Sequence, residues 1–473
     1  MDQPITAEST LDTPPFPLID LPLDILLRVV KSVDERNTSP TFPRGPSDDL
    51  LNLSCTNKWF ARICRPLIWR SIHYQPLIPG GPHPTAYRQA RSLKALREII
   101  QGGSIQVQEL SVDMTAGFLL MRSVDDDEEG DETLALVNLI ETLSQSGLQV
   151  LFMKEVTFSR QEAIRFFNII ASAPRLSAIR FNQVDMFTLP SSFFADSLPP
   201  LQHIRTLQIM HGSSQLLNFI SKCPNLDSLL LWPSSRRLGV FTDTIKALLP
   251  RLRLLSMDSV RDPSAFRELS ETITRLASQR YAEPLPLEEL FLEGPMNEID
   301  RSALIASLVN LPSLRRLALY QARRPTPTLY NEIYRVRPDL KSLTIVGGDC
   351  DGSILFPTPL EDYLLSLSQF KQLEFYASDR RTPPSPNQLM NVSRSNPGGV
   401  SQAALEFESF AKLVKAVPSL KEAVAIDQDV SEGTTGYFAS FAKEKGKIRI
   451  SQKMRTANDF LVSYDRWVRV EED

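Results

Sequence analysis

The residues of this 473-residue chain best suited to metal or nucleophilic chemistry are four histidines, His73, His83, His203 and His211, and four cysteines, Cys55, Cys64, Cys223 and Cys350. Their spacing serves neither purpose. No two cysteines stand as C-x-x-C, and no histidine falls beside a cysteine at the short intervals a zinc site requires. The sequence contains no G-x-S-x-G, H-E-x-x-H, G-x-x-x-x-G-K or G-x-G-x-x-G, so the common nucleophile, zinc-protease and phosphate-cradling arrangements are all missing. Asp349-x-Asp351-Gly352 is a fragment of a calcium loop without the later glutamate, and reads as a turn. No catalytic residue, metal or cofactor is therefore expected, and the chain is not expected to be an enzyme.

Charge and composition narrow the partners. With 52 basic and 56 acidic groups the net charge is −4, which supplies no whole-chain attraction to nucleic acid or an anionic membrane. The start, MDQPITAESTLDTPPFP, has no apolar stretch of a secretory signal, and no apolar run approaches the ~18 residues of a membrane span. Four scattered thiols are too few for a disulfide framework and are expected to be ordinary buried groups in a reducing compartment. The expectation is an intracellular protein, cytoplasmic and/or nuclear, with no nucleic-acid or membrane partner.

Function must then lie in surfaces, and the sequence shows which elements position them. There are 35 prolines against 19 glycines, and beyond residue 100 the prolines are periodic. Apolar triplets of the form L-x-x-L-x-L begin at Val107, Leu148, Leu176, Ile204, Leu226, Leu252, Leu287, Leu314, Leu340, Phe370 and Leu420, the tenth read as Phe370-Leu373-Phe375. Pro174, Pro224, Pro250, Pro312, Pro338 and Pro418 stand two residues ahead of six of them, where proline ends a helix and hands the chain to a strand. Helical stretches such as Glu162 to Ala171 and Ala265 to Ala277 fill the intervals. A strand and a helix repeating at intervals that are mostly 22 to 35 residues is the pattern of stacked repeats, none of which can bury its apolar face alone. The expected class is α/β, an irregular leucine-rich-repeat solenoid with parallel strands on the concave face and helices outside.

Cys223-Pro224-Asn225-Leu226-Asp227-Ser228-Leu229-Leu230-Leu231 resembles the cysteine-containing leucine-rich repeat common in F-box proteins. It departs from that pattern three residues after the last anchor, where Ser234, Val260, Ala322 and Gly348 replace the usual Asn or Cys. A second resemblance lies near the amino terminus. Leu21-Pro22 with Asp24-Ile25-Leu26, then Leu50-Leu51-Asn52-Leu53-Ser54, Trp59-Phe60, and Leu67-Ile68-Trp69-Arg70-Ser71-Ile72 resemble the F-box pattern in order and spacing. The insertion SVDERNTSPTFPRGPSDD is longer than the usual link. This resemblance implies a three-helix module that docks a Skp-type adaptor and through it a cullin, with Leu21, Pro22, Ile25, Leu26, Val29, Leu50, Trp59, Ile63 and Trp69 facing the adaptor.

The expected organisation is a tail at 1–15, an F-box-like domain at 16–72, a linker and cap helix at 73–104, and repeats at 105–432. Loops are expected at about 122–132 and 379–401, and a carboxy-terminal cap at 433–473. Side chains alternate along a strand, so residues between the anchors face the concave side. Arg180, Trp232, Phe291, Arg316, Tyr320 and Tyr376 are the expected target-binding group, with the four aromatics exposed as hot spots. Together these readings point to the non-catalytic substrate receptor of a Skp/cullin/F-box ubiquitin ligase, a monomer within a hetero-complex that binds an unidentified protein. The alternative is a repeat scaffold that binds the adaptor or other partners without ligase activity.

Overall fold

In the computed structural model, the described residues are 28, 48–56, 58–75, 93–102, 106–115, 129–185, 189–190, 192–212, 218–233, 243–257, 260, 264–279, 284–294, 296–320, 326–346, 359–379, 412–426, 436–444 and 447–455. The L-x-x-L-x-L triplets become strands β1 (Ser71–Tyr74), β2 (Glu109–Asp113), β3 (Val150–Lys154), β4 (Ala178–Asn182), β5 (Thr206–Gly212), β6 (Ser228–Pro233) and β7 (Leu254–Met257). The series continues with β8 (Glu289–Glu293), β9 (Arg316–Tyr320), β10 (Ser342–Val346), β11 (Phe375–Asp379) and β12 (Glu422–Ile426), then β13 (Gly436–Glu444) and β14 (Lys447–Arg455). All lie in one sheet in chain order. Pairing is parallel from β1 to β12 and turns antiparallel for the last two. The chain is an α/β solenoid.

Helices α1 (Asp48–Thr56) and α2 (Lys58–Ile68) precede β1, and between the strands lie α3 (Leu93–Gly102), α4 (Glu129–Ser146), α5 (Arg160–Ala171), α6 (Asp243–Leu248), α7 (Ser264–Gln279), α8 (Glu298–Ser307), α9 (Pro327–Val336) and α10 (Leu360–Leu367). Their ends follow local chemistry. Ser159 and Glu162 form a reciprocal capping box on α5, which satisfies two orphan amides at once. Thr326 caps α9 with Pro327 in its first turn, where a missing N–H costs nothing. Pro174, Pro250 and Pro338 follow α5, α6 and α9 as the periodicity predicts.

A continuous apolar core runs from Ile72 to Ala423, built from the anchors on one face of the sheet and the helices packed over them. Aromatics tie successive repeats together. The ring of Phe167 on α5 lies 6.0, 5.1 and 5.2 Å from those of Phe193, Phe194 and Phe219. Burial of each such side chain contributes roughly 1.5–3 kcal/mol, so the core, not local propensity, holds these short helices. Where the usual Asn or Cys ladder is expected, Val156, Val184 and Val260 are buried instead, which replaces a polar ladder with more core. Arg337, at the end of α9, donates to the carbonyls of Leu311 (2.5 Å), Pro312 (3.0 Å) and Leu314 (2.7 Å) in the preceding turn and pairs with Asp339 at 2.8 Å. Burial lowers its pKa, opposed by Asp339, and the carbonyl contacts offset that desolvation.

Four expectations need correction. The sheet begins at Ser71, not 105: Trp69, Ile72 and Tyr74 are a triplet in line with Val107, Leu110 and Val112, hidden because it overlaps the F-box-like segment. The tenth triplet is Leu373-Tyr376-Ser378, since Leu343 pairs in register with Tyr376 and Ile345 with Ser378. The acidic run expected within a loop at 122–132 is helical from Glu129 onward, where carboxylates favour the positive end of the helix dipole, and Glu132 accepts a hydrogen bond from Tyr74 at 2.6 Å. Not every described thiol is buried: Cys64 and Cys223 are, but Cys55 is exposed. The tail at 1–15, the loop expected at 379–401 beyond Asp379, and Cys350 lie outside the described residues.

One glycine is fixed by close approach. A Cβ on Gly294, just after β8, would stand 2.2 Å from the carbonyl oxygen of Val260, whereas Gly102 has open space. Gly294→Ala is expected to cost about 1–3 kcal/mol, the range of overpacked cores, and to lower the thermal midpoint. Gly102→Ala should leave that midpoint close to wild type; equal midpoints for the two variants would contradict the assignment.

Candidate functional site

Two surfaces were expected to act, and the described residues place them at different parts of the chain. At the amino-terminal end, α1 and α2 pack through Leu50 and Cys64, with Leu53, Ile63, Leu67 and Ile68 only partly buried against them. Leu50 is fully buried in this small core, Ile63 is half-buried beside it, and Trp59 lies on α2. Leu21, Pro22, Ile25, Leu26 and Val29 lie outside the described residues. Trp69 has a second environment beside the one expected of it. It follows α2 directly and packs against the solenoid core, as first anchor of β1.

The second surface is the face of the sheet opposite the helices. Strand alternation puts the residues between the anchors on that face, and the pairing aligns them in rows. One row reads His73, Ser111, Phe152, Arg180, Gln208, Leu230, Ser256, Phe291, Ala318, Thr344 and Ala377. A second carries Glu289 beside Arg316, paired at 3.1 Å, and Phe375. A third carries Asp113 beside Lys154, paired at 3.2 Å, then Asn182, Met210 and Trp232, and further along Glu293, Tyr320 and Val346. Arg180, Trp232, Phe291, Arg316 and Tyr320 all fall on this face.

Tyr376 does not. One residue of register moves a side chain to the other face of a sheet, and the corrected triplet turns Tyr376 into the core, where its hydroxyl meets that of Tyr330 at 2.9 Å. Phe375 takes the place on the open face that the sequence assigned to its neighbour.

Exposure also differs from expectation. Phe291 is 9% exposed and Tyr320 6%, and their rings lie 4.8 Å apart. With Ala318, Val346, Ala377 and Phe375 they form an apolar cluster separate from the main core. Among the four aromatics, only Trp232 is partly exposed. The sequence shows which face a residue takes; it does not show how closely neighbours on a flat sheet shield one another.

Among the described residues no group of His, Cys, Asp and Glu could hold a metal ion, and no helix is long and apolar enough to cross a membrane. His203 Nε2 lies 3.1 Å from the carbonyl oxygen of Ile170 near the end of α5. No protein-family model matches the sequence, and no curated protein matches it. Among solved structures, the complex of Rad7 and Elc1 in yeast resembles the chain at 13% identity and a TM-score of 0.40, over 82% of this chain and 90% of that one. The assignment as a solenoid rests on the sheet and its register.

Two groups yield measurable chemistry. His73 Nδ1 stands 3.0 Å from Ser111 Oγ, and burial lowers its pKa from 6.5, with Asp113 pulling upward and Lys154 pushing further down. The folded chain thus binds this proton less readily than the unfolded chain. The His73 contribution to stability is flat above pH 6.5 and falls as the pH drops below it, by at most about 1.4 kcal/mol per pH unit. Urea unfolding at about pH 7.5 and pH 5.5 should show a smaller pH effect in His73→Gln; an unchanged difference would refute this. Burial also pushes the Cys223 thiol up to about 12. Iodoacetamide followed by mass spectrometry should label exposed Cys55 in the folded chain and Cys223 only after unfolding.

Proposed function

We propose that the chain is a non-catalytic substrate receptor that docks a Skp-type adaptor through its amino-terminal helices and presents a protein target along the open face of the solenoid. The observation that carries this reading is the unfinished core of α1 and α2. Two residues are fully buried there, while Leu53, Ile63, Leu67 and Ile68 stay partly exposed, and a unit this small gains stability by covering such side chains with a partner. The F-box-like order of Leu21-Pro22, Leu50-Leu51 and Trp59-Phe60 gives that partner its chemistry, an apolar groove on an adaptor. Trp69, which the same resemblance counts among adaptor contacts, also packs against the solenoid core and joins the helices to it.

The function follows from placement. A receptor that holds its target near a ubiquitin-charged enzyme raises the effective concentration of target lysines and needs no catalytic group of its own. The open face offers charged pairs, Glu289–Arg316 and Lys154–Asp113, beside aromatic and apolar rows, the mixture found in protein interfaces.

Co-expression with a Skp-type adaptor and a cullin tests the proposal. The intact chain is expected to co-elute with both, and Leu21→Asp with Ile25→Asp to abolish co-elution while leaving the thermal midpoint of the solenoid within a few degrees. Retention of the adaptor by the double variant, or no adaptor bound by the intact chain, overturns the docking assignment. Adaptor without cullin would identify a scaffold instead of a ligase subunit.

A further inference from the structure

The connections that lead from helix to strand carry a surface that neither the open face nor the amino-terminal helices account for. Residues 172–177, 198–205, 221–227 and 249–253 lie side by side where β4 to β7 begin, and every one of them is described. They hold five basic residues, Arg175, Arg205, Lys222, Arg251 and Arg253, and one acidic residue, Asp227, in a chain whose net charge is −4. The four arginines are exposed and Asp227 is half-buried.

Register arranges these charges in two rows. Ala178, Thr206, Ser228 and Leu254 align across successive strands. Arg175 and Arg251, each three residues earlier, therefore hold equivalent places three strands apart, about 14 Å at ~4.8 Å per strand. Arg205 and Arg253 occupy the row beside the strands, with Asp227 between them and Glu288 beyond. The fold uses some cations of this rim and leaves others. Arg337, farther along, is buried against three carbonyls and Asp339, and Arg253 is held by both oxygens of Glu288. The side chains of Arg205 and Arg251 each give a single hydrogen bond, to the carbonyls of Asn225 (3.1 Å) and Pro224 (2.5 Å). Among the described residues neither of these two, nor Arg175, has a carboxylate within ion-pair distance, and their exposure leaves guanidinium donors facing solvent.

We propose that this rim docks an acidic surface of a partner protein, whose carboxylates pair with Arg175, Arg205 and Arg251. An arginine already tethered to a carbonyl loses less side-chain freedom when it pairs, which sets Arg205 and Arg251 apart from untethered surface cations. The carboxylates between the arginines select the class of partner. Nucleic acid carries a phosphate at every nucleotide, and a strand laid along the rim would bring phosphates against Asp227 and Glu288; a folded protein can set carboxylates opposite the arginines alone. The acidic residues of this chain that begin α4 stand on the opposite rim, where Glu132 meets Tyr74 at the end of β1.

Fluorescence anisotropy with the full chain and a labelled helical peptide of alanine and glutamate tests this assignment without reference to any adaptor. Saturable binding is expected, weakened about tenfold or more by Arg205→Glu with Arg251→Glu. The same double variant should gain affinity for an alanine–lysine peptide, which separates recognition from misfolding. Arg160→Glu with Lys415→Glu changes net charge equally at exposed sites farther from the patch than a Debye length of ~10 Å, and should leave the affinity close to wild type. Equal loss in the two double variants, no binding by the intact chain, or tighter binding of oligouridylate or phosphatidylserine vesicles than of the acidic peptide would overturn the proposal. So would self-association abolished by Arg205→Glu with Arg251→Glu, or tighter peptide binding after removal of residues 456–473, since a second copy or this chain's own tail would then be the occupant.

Discussion

The architecture depends on the in-register parallel ladder. The residue before each strand gives its carbonyl to two amides of the next repeat: Asp227 accepts from Arg253 and Leu254 at 2.7 and 3.1 Å, and Arg253 from Glu288 and Glu289 at 2.7 and 2.9 Å. That double acceptance fixes where each strand starts. With starting points fixed, apolar anchors stack into one file, polar rows into another, and helices of varied length close over the first. The outer edge of the ladder gains order from the same rule. Arg205, Asp227, Arg253 and Glu288 occupy equivalent positions, so their charges alternate, and Arg253 grips Glu288 with two hydrogen bonds at 2.9 Å.

Much of this was legible from period alone, because an anchor in a repeat has only one place to go. Triplets such as Leu314-Leu317-Leu319 or Leu340-Leu343-Ile345 contain few competing apolar residues and fall as read. The tenth repeat does not, and the reason is local. Phe370, Leu373, Phe375 and Tyr376 offer two apolar frames three residues apart, and the true frame ends in Ser378, the less apolar choice. Backbone pairing with β10 decides between the frames, a long-range term absent from any short window.

The first strand was missed for a different reason. Trp69 and Ile72 fit two patterns at once, the end of a helical docking segment and the start of a repeat, and the pairing of β1 with β2 establishes the repeat. The candidate surface was legible as to face and not as to cover. Arg180, Trp232, Phe291, Arg316 and Tyr320 stand where alternation puts them, but Phe291 and Tyr320 pack on each other and cluster with Ala318, Val346 and Ala377, and are buried there.

Trp69 gives the solenoid a mechanical property. The chain leaves α2 at Ile68 and enters β1 at Ser71, and the partly buried indole between them packs against the repeat core. A tether of glycine and serine would let an attached cargo sweep a volume; a ring packed at the joint restrains that sweep. Twelve parallel strands at ~4.8 Å extend about 53 Å from first to last, so a ligand's address along the sheet becomes its distance from the helical end. The solenoid works as a ruler whose zero mark is Trp69, and adding or deleting one repeat would shift a bound partner by a single graduation.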